Sequence, residues 1–331
     1  MVNLTKKMDM NKVIWFGIKI LLVLTPILLP VQHSIAAFPD KPIIYVSPYL
    51  AGGTNDGLAR LMAKQLGVKL GQSVIVENRA GAGGTIGAGY VANSKPDGYT
   101  LLNASVTNLA TAPQLIKANF DPFKDFVSIA HIGGSRSVIA VNPNLPITSF
   151  AGLIDYAKKN PGKLTYGSSG NGSPGNITME YIKLLSGIDI RHVPYKGSSQ
   201  ALTDTMGGTV DLVCDPLANT FVKSGKLRAL AFLGAAEAPD LPGIPSLKKF
   251  YPQWNFSGSF VVVAPSKTPP EVVNTLRQAF NEILRDPEVI KAINDLGVSP
   301  SVMTTAETDD LIKGTYLTSQ KIIEKARISA E

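Results

Sequence analysis

Short apolar runs alternate with amphipathic segments along most of the chain. Ile43–Ser47 has the length and composition of a buried strand, and a Gly-rich turn spans 50–55. From Asp56 the apolar period changes. Leu58, Leu61, Met62, Leu66 and Leu70 fall on one helical face. Ser73–Glu77 predicts a second strand, and the Gly-rich segment 80–89 leads into a short helix. Asp97-Gly98 then turns the chain into a strand over Thr100–Ala104. This β-α-β-α-β rhythm predicts a parallel sheet with helices on both faces.

The rhythm repeats further on. Ser149–Asn160 predicts a helix closed by Pro161-Gly162, and Leu164–Gly167 a strand. A Ser/Gly loop, 168–173, precedes a helix over Ile177–Leu185. Strands at Ile190–Val193, Val210–Asp215 and Leu227–Phe232 flank a helix over Ser199–Met206. Two further apolar segments, Val138–Val141 and Phe260–Ala264, read as paired crossover strands. Glu271–Leu284, Glu288–Leu296 and Glu307–Arg327 are helical in pattern. The expected path leaves one α/β lobe, builds a second and returns. The expected bounds are 37–138 with 258–331 for lobe 1, and 139–257 for lobe 2. Two lobes with a cleft between them suit hinge closure on a ligand.

The start of the chain breaks this pattern. Lys6, Lys7, Lys12 and Lys19 precede an apolar run, Ile20–Val31, and small residues stand at Ser34 and Ala36. That is the form of a secretory signal peptide cleaved near Ala36, on residues 1–36. The run is short for a membrane span of about 20 residues, and Pro26 and Pro30 interrupt it. The mature product is therefore expected outside the cytoplasm, in the periplasm.

Charge changes meaning once that segment is set apart. The whole chain has 331 residues and a formal charge of +7. Four Lys and one Asp leave with residues 1–36, so 295 residues remain at +4. The remaining cations are scattered and lack interleaved aromatics, which argues against nucleic acid. One Cys excludes an internal disulfide, and three His with one Cys offer little to a metal. No metal or cofactor is expected. Cys214, beside Leu212-Val213, reads as a buried, inert thiol.

The chemistry sits in the loops. Ala51-Gly52-Gly53-Thr54-Asn55-Asp56 follows a strand and opens a helix. Glycine lets a backbone approach a ligand, and free N–H groups at a helix start favour an anion. Gly167-Ser168-Ser169-Gly170-Asn171-Gly172-Ser173 holds the equivalent place in the second half. A single such loop is as well explained by a tight turn with an N-cap; two at equivalent positions favour a shared anion. Gly81-Ala82-Gly83-Gly84-Thr85-Ile86-Gly87 has Ile86 where a dinucleotide fingerprint needs its third glycine, so it reads as a close-packed helix start. Catalytic patterns are sparse. No G-x-S-x-G elbow occurs, His131 lies in a strand-like apolar run as a structural histidine, and His192 has no partner nucleophile at readable spacing. Asp215, at the end of its strand, is expected at the cleft edge.

Six ordered segments carry a resemblance. They are Ala51-Gly52-Gly53, Val76–Gly84, Lys95–Leu102, Asn160–Gly170, His192–Gly197 and Gly225–Leu230. From about Phe38 onward the chain resembles the extracytoplasmic solute receptors of tripartite tricarboxylate transporters, the Bug family. The resemblance implies a type 2 periplasmic-binding-protein fold, with two doubly wound α/β lobes joined by two crossover strands. It also implies a monomer that captures a small carboxylate and hands it to membrane permease subunits. The implied ligand-binding positions are Ala51, Gly52, Gly53, Thr54 and Asp56 in the first lobe. In the second they are Ser168, Ser169, Gly170 and Ser173, with Lys196, Gly197 and Asp215 nearby. Several residues depart from the family pattern: Tyr49-Leu50 for Phe-Pro, Gly175-Asn176 for Pro-His, Ser199-Gln200 for Ala-Pro, and Cys214 for Phe. Alternatives to transport are an orphan receptor serving a sensor, or an exported hydrolase using Ser169.

Overall fold

The computed structural model describes residues 38–233, 241–254, 256 and 258–329. The expected signal segment, 1–36, lies outside the described residues. From Phe38 onward the chain forms one compact unit.

In chain order the first elements are β1 (Ile43–Ser47), α1 (Thr54–Leu70), β2 (Val74–Asn78), α2 (Thr85–Ala92) and β3 (Thr100–Ser105). Next come α3 (Val106–Ala110), α4 (Ala112–Leu115), β4 (Phe126–Ser135) and β5 (Val138–Val141). They are followed by α5 (Phe150–Lys159), β6 (Thr165–Ser168), α6 (Pro174–Ser186), β7 (Arg191–Pro194) and α7 (Ser198–Gly207). Then β8 (Leu212–Asp215), α8 (Ala218–Lys223) and β9 (Arg228–Phe232) complete the middle of the chain. The last elements are β10 (Ser259–Pro265), α9 (Pro270–Ile283), α10 (Pro287–Asp295), β11 (Val298–Pro300) and α11 (Thr305–Ala326).

Two sheets organise two lobes. One runs β11-β4-β10-β3-β1-β2 and the other β7-β6-β8-β5-β9. The strand period of two shows directly in the packing. Leu101 and Val262 face α1 and α9, in a core with Leu58, Met62, Leu66 and Phe280. Their neighbours Leu102 and Val261 face the opposite way, toward Ala88, Val91 and Ile312. The second sheet does the same. Ile139 and Leu212 join the core that holds Phe150, Tyr166 and Ile177. Val138 and Val213 join Ala201, Leu202 and Leu227 on the other face. Both sheets are thus covered on both faces by helices, as the α/β reading requires.

Two expectations need correction. The sheets are mixed rather than parallel: β1 is parallel to β2 and β3, but β10 runs antiparallel to β3 and β4. In the second sheet β6 is parallel to β7 and β8, while β5 runs antiparallel to β8 and β9. Nor do Val138–Val141 and Phe260–Ala264 pair. β5 belongs to the second sheet and β10 to the first, where its long partner is the ten-residue β4. The strand-like run around His131 is part of β4, and its pairing with β10 is what the sequence did not reveal. The register of β4 on β10 also shifts twice. The crossings are the short links after β4 and before β10, and the Ser135 N–H donates to the Gly258 carbonyl across them at 2.8 Å.

α11 joins the lobes on one side. Its Ile312 packs in the first-sheet core and its Ile322 in the second-sheet core. The helix begins with a capping box: the Thr304 hydroxyl accepts from the Glu307 N–H, and the Glu307 carboxylate accepts from the Thr304 N–H. Among the described residues no helix is long and apolar enough to cross a membrane, and no cluster of metal-ligating side chains occurs.

Candidate ligand-binding site

Strand ends and helix starts from both lobes enclose a cavity of about 40 Å³. That is a few times the roughly 10–15 Å³ that one water needs. The first lobe contributes Gly53, Thr54 and Asn55 from the start of α1, with Tyr49, Ser105 and Phe260 behind them. The second lobe contributes Ser169, Pro174, Gly175, Ser198, Cys214 and Asp215. Ser135 and Ser137 line it beside the crossing, their hydroxyls 2.7 Å apart.

The helix termini at this cavity differ in an instructive way. The N-cap of α1 is Gly53 and that of α7 is Gly197, and neither has a side-chain cap. Their first backbone N–H groups therefore keep no partner inside the helix. α6 is closed on itself instead. The Ser173 hydroxyl accepts from the Asn176 N–H, Pro174 supplies no donor, and the Asn176 side-chain Oδ1 accepts from the Gly172 N–H at 2.9 Å. The two open positive ends are those of α1 and α7.

The lobes meet along a seam made largely of backbone. A Cβ on Gly53 would stand 2.7 Å from the Ser198 hydroxyl oxygen, and one on Gly197 would stand 3.0 Å from Leu50 Cβ. A Cβ on Gly83 would stand 2.1 Å from the Asn171 carbonyl oxygen. The glycine-rich 81–87 loop is thus a close-packing contact, as read, and its partner is the opposite lobe. Among the described residues, the Leu50 N–H donates across the seam to the Lys196 carbonyl at 3.2 Å, and the Ser199 hydroxyl to the Ala51 carbonyl at 3.0 Å. Leu50→Pro and Ser199→Ala each remove one donor. With a net value of about 0.5–1.5 kcal/mol per bond, each should weaken ligand affinity roughly 2- to 10-fold in titration calorimetry.

Of the twelve positions expected to bind, Gly53, Thr54, Ser169 and Asp215 line the cavity. Gly197 presses on Leu50 at its edge, and Gly170 lies across the seam from Gly83. Ala51, Gly52 and Lys196 are exposed on the outer seam. Asp56 turns away from the cavity, accepting from the Gly52 N–H, Arg60 Nε and Asn78 Nδ2. Burial alone would raise its pKa, but those hydrogen bonds and the Arg60 charge bring it below the usual carboxylate value. Ser168 and Ser173 spend their hydroxyls inside the second lobe. Ser198, Ser105, Ser135 and Tyr49 were not anticipated. A signal was present: β1, β3, β4, β6 and β8 each end on Ser or Asp, and ligands of open α/β sheets lie beyond strand C-termini.

Three titratable side chains complete the electrostatics. Asp215 is 9% exposed and is the one ionisable carboxylate lining the cavity. Burial lifts its pKa to about 6, opposed by the Leu217 N–H and by the hydroxyls of Ser198 and Thr54. Beside it, the Thr54 hydroxyl oxygen has no other partner among the described residues. Burial also pushes the Cys214 thiol up, which keeps it protonated and inert. His192 stands outside the lining, stacked on Tyr166. Burial and the Lys183 charge bring it down to about 4, so it is neutral. Asn176 donates to its Nδ1, so Nε2 carries the proton and donates to Ser168 Oγ at 2.7 Å. That tautomer removes no proton from Ser168, and Ser169 has no imidazole beside it. His131 is structural at one nitrogen: Nδ1 donates to the Ser301 carbonyl at 2.9 Å, while Nε2 has no partner among the described residues.

The model of the tripartite tricarboxylate transporter family receptor matches residues 58–328. The chain belongs to this receptor family. This receptor shares its fold closely with three solved relatives. Rpa4515 of R. palustris, described with adipate, is 32% identical with a TM-score of 0.84, over 88% of this chain and 99% of that one. The periplasmic binding protein BugD is 29% identical with a TM-score of 0.84, over 89% and 100%. MatC of Rhodopseudomonas palustris, with bound malate, is 26% identical with a TM-score of 0.82, over 86% and 100%. The family is one of solute receptors, so this chain is a binding protein and not an enzyme.

Proposed function

We propose that the receptor works in the periplasm, captures a small carboxylate in the interlobe cleft and delivers it to the membrane permease of a tripartite tricarboxylate-type transporter. The observation that carries this reading is the pair of uncapped helix ends, Gly53 of α1 and Gly197 of α7, at one cavity. Each end favours an anion by roughly 0.3–1 kcal/mol, rising to about 2 when partly buried. Closure removes water and strengthens both. Gly53, Thr54, Ser169 and Asp215 contact the acid in this reading, while Gly197, Gly170 and the outer seam residues hold the lobes shut around it. The adipate and malate of the relatives make dicarboxylates the first acids to try. The lobes are assigned to 37–138 with 258–331 and to 139–257, and cleavage near Ala36 releases the mature receptor.

A thermal-shift screen of mono-, di- and tricarboxylates tests the proposal. An acid at 100 times its Kd adds about 2.7 kcal/mol to the native state. For a chain of this size that raises the melting temperature by roughly 4–5 °C. A screen in which no acid raises the melting temperature would overturn it.

A further inference from the structure

The cavity presents an electrostatic conflict. An anion site built from two helix ends shares its walls with a buried carboxyl group, Asp215. No Lys, Arg or His is among the lining residues. The charged groups on the surrounding elements lie outside that lining. On α1, Asp56 is held by Arg60 and Asn78. Ahead of α7, Lys196 is exposed. In the link between β4 and β5, Arg136 donates to the Asn294 carbonyl. On β8 itself, Cys214 is a neutral thiol.

A space of about 40 Å³ places any bound carboxylate close to Asp215. Two carboxylates sharing a buried site without a cation do not both stay ionised; one of them takes a proton. We infer that the receptor takes up its acid together with one proton, which the ligand carboxylate and Asp215 share in the closed cavity. The inference rests on the carboxylate reading of the cleft. The proton comes from solvent. It resides on an Asp215 oxygen, from which the O–H donates to the ligand carboxylate, a charge-assisted bond stronger than a neutral one. The Leu217 N–H occupies the other side of the group at 2.8 Å, which orients it. The Thr54 hydroxyl, 3% exposed and with no other partner among the described residues, is a second donor at the same place. Burial in the closed cavity already moves Asp215 toward this state, up to about 6. The ligand raises it further, so binding is favoured below that value and lost as the pH rises above it.

The experiment is titration calorimetry of the purified mature protein with acetate, lactate, malate and adipate, in Tris and in phosphate, from pH 7 to 8. Those acids are fully ionised there, so any proton taken up belongs to the protein. An acid that binds should take up about one proton, seen as a binding enthalpy that differs between the buffers. Its affinity should fall about tenfold per pH unit. Asp215→Asn should abolish the uptake and flatten the pH dependence. Binding with the same enthalpy in both buffers and no pH dependence would overturn the inference and leave the carboxylate receptor standing. Binding of none of the acids would overturn the carboxylate reading itself, and this inference with it. Should the Asn variant fail to fold, the two-buffer comparison on the natural protein decides alone.

Discussion

Gly53→Val will cost the receptor at least about 100-fold in acid affinity while its melting temperature stays within roughly 2 °C of the natural protein. The asymmetry follows from where Gly53 sits. Its φ of −90° and ψ of 173° are extended values that valine adopts freely, so the first lobe folds around the new side chain without backbone strain. The trouble lies across the seam. A Cβ there would stand 2.7 Å from Ser198 Oγ and 3.8 Å from the Ser198 backbone nitrogen. A serine hydroxyl can rotate away from one methyl group, so Gly53→Ala should be milder. Valine adds two branches on a Cβ with restricted rotamers, and these meet the backbone at the start of α7. The two positive helix ends are then held apart, and the anion loses both at once. Calorimetry paired with a thermal melt separates the two quantities. Natural affinity in Gly53→Val would remove the seam from the binding site.

Phe280→Ala will act on the other side of the ledger, lowering unfolding stability by about 3–5 kcal/mol. Phe280 is fully buried on α9, among Leu58, Met62, Leu66 and Leu276, with its ring centroid 6.4 Å from that of Tyr45. Alanine leaves a cavity between α1, α9 and the sheet that neighbours on three elements cannot collapse into. Domain stabilities of about 5–15 kcal/mol make that loss a large share of the total. Denaturant unfolding with an unchanged m-value is the measurement. A loss under about 1 kcal/mol would mean that this core repacks.

The fold was legible because its strands are short apolar runs and its helices carry one-sided periodicity, and both signals are local. Leu58, Met62 and Leu66 pack on one face of the sheet as their spacing requires. The pairing of β10 with β4 was not legible. It joins residues more than a hundred positions apart, and its register shifts twice. The site divides the same way. Glycines at 52 and 53 follow a strand and lead into α1, which starts at Thr54, two residues ahead of the expected Asp56. The Ser/Gly loop at 168–173 misled in part, because Ser168 and Ser173 serve their own lobe. In composition, a serine that caps its own helix and one that grips a ligand look alike. Ser198 completes the cavity through its place after an uncapped glycine, which is visible only once both lobes stand face to face.

The bond between the Ser135 N–H and the Gly258 carbonyl ties the outgoing and returning chains to each other where they pass between lobes. Two strands laced together resist twisting about one another far better than a single connection does, while they still bend. Any opening is therefore expected to bend about that stitch, with displacement growing with distance from it. Ser135 and Ser137 remain near the pivot throughout. Gly53 shares the cavity lining with them, whereas Gly83 and Gly197 press on the opposite lobe outside that lining.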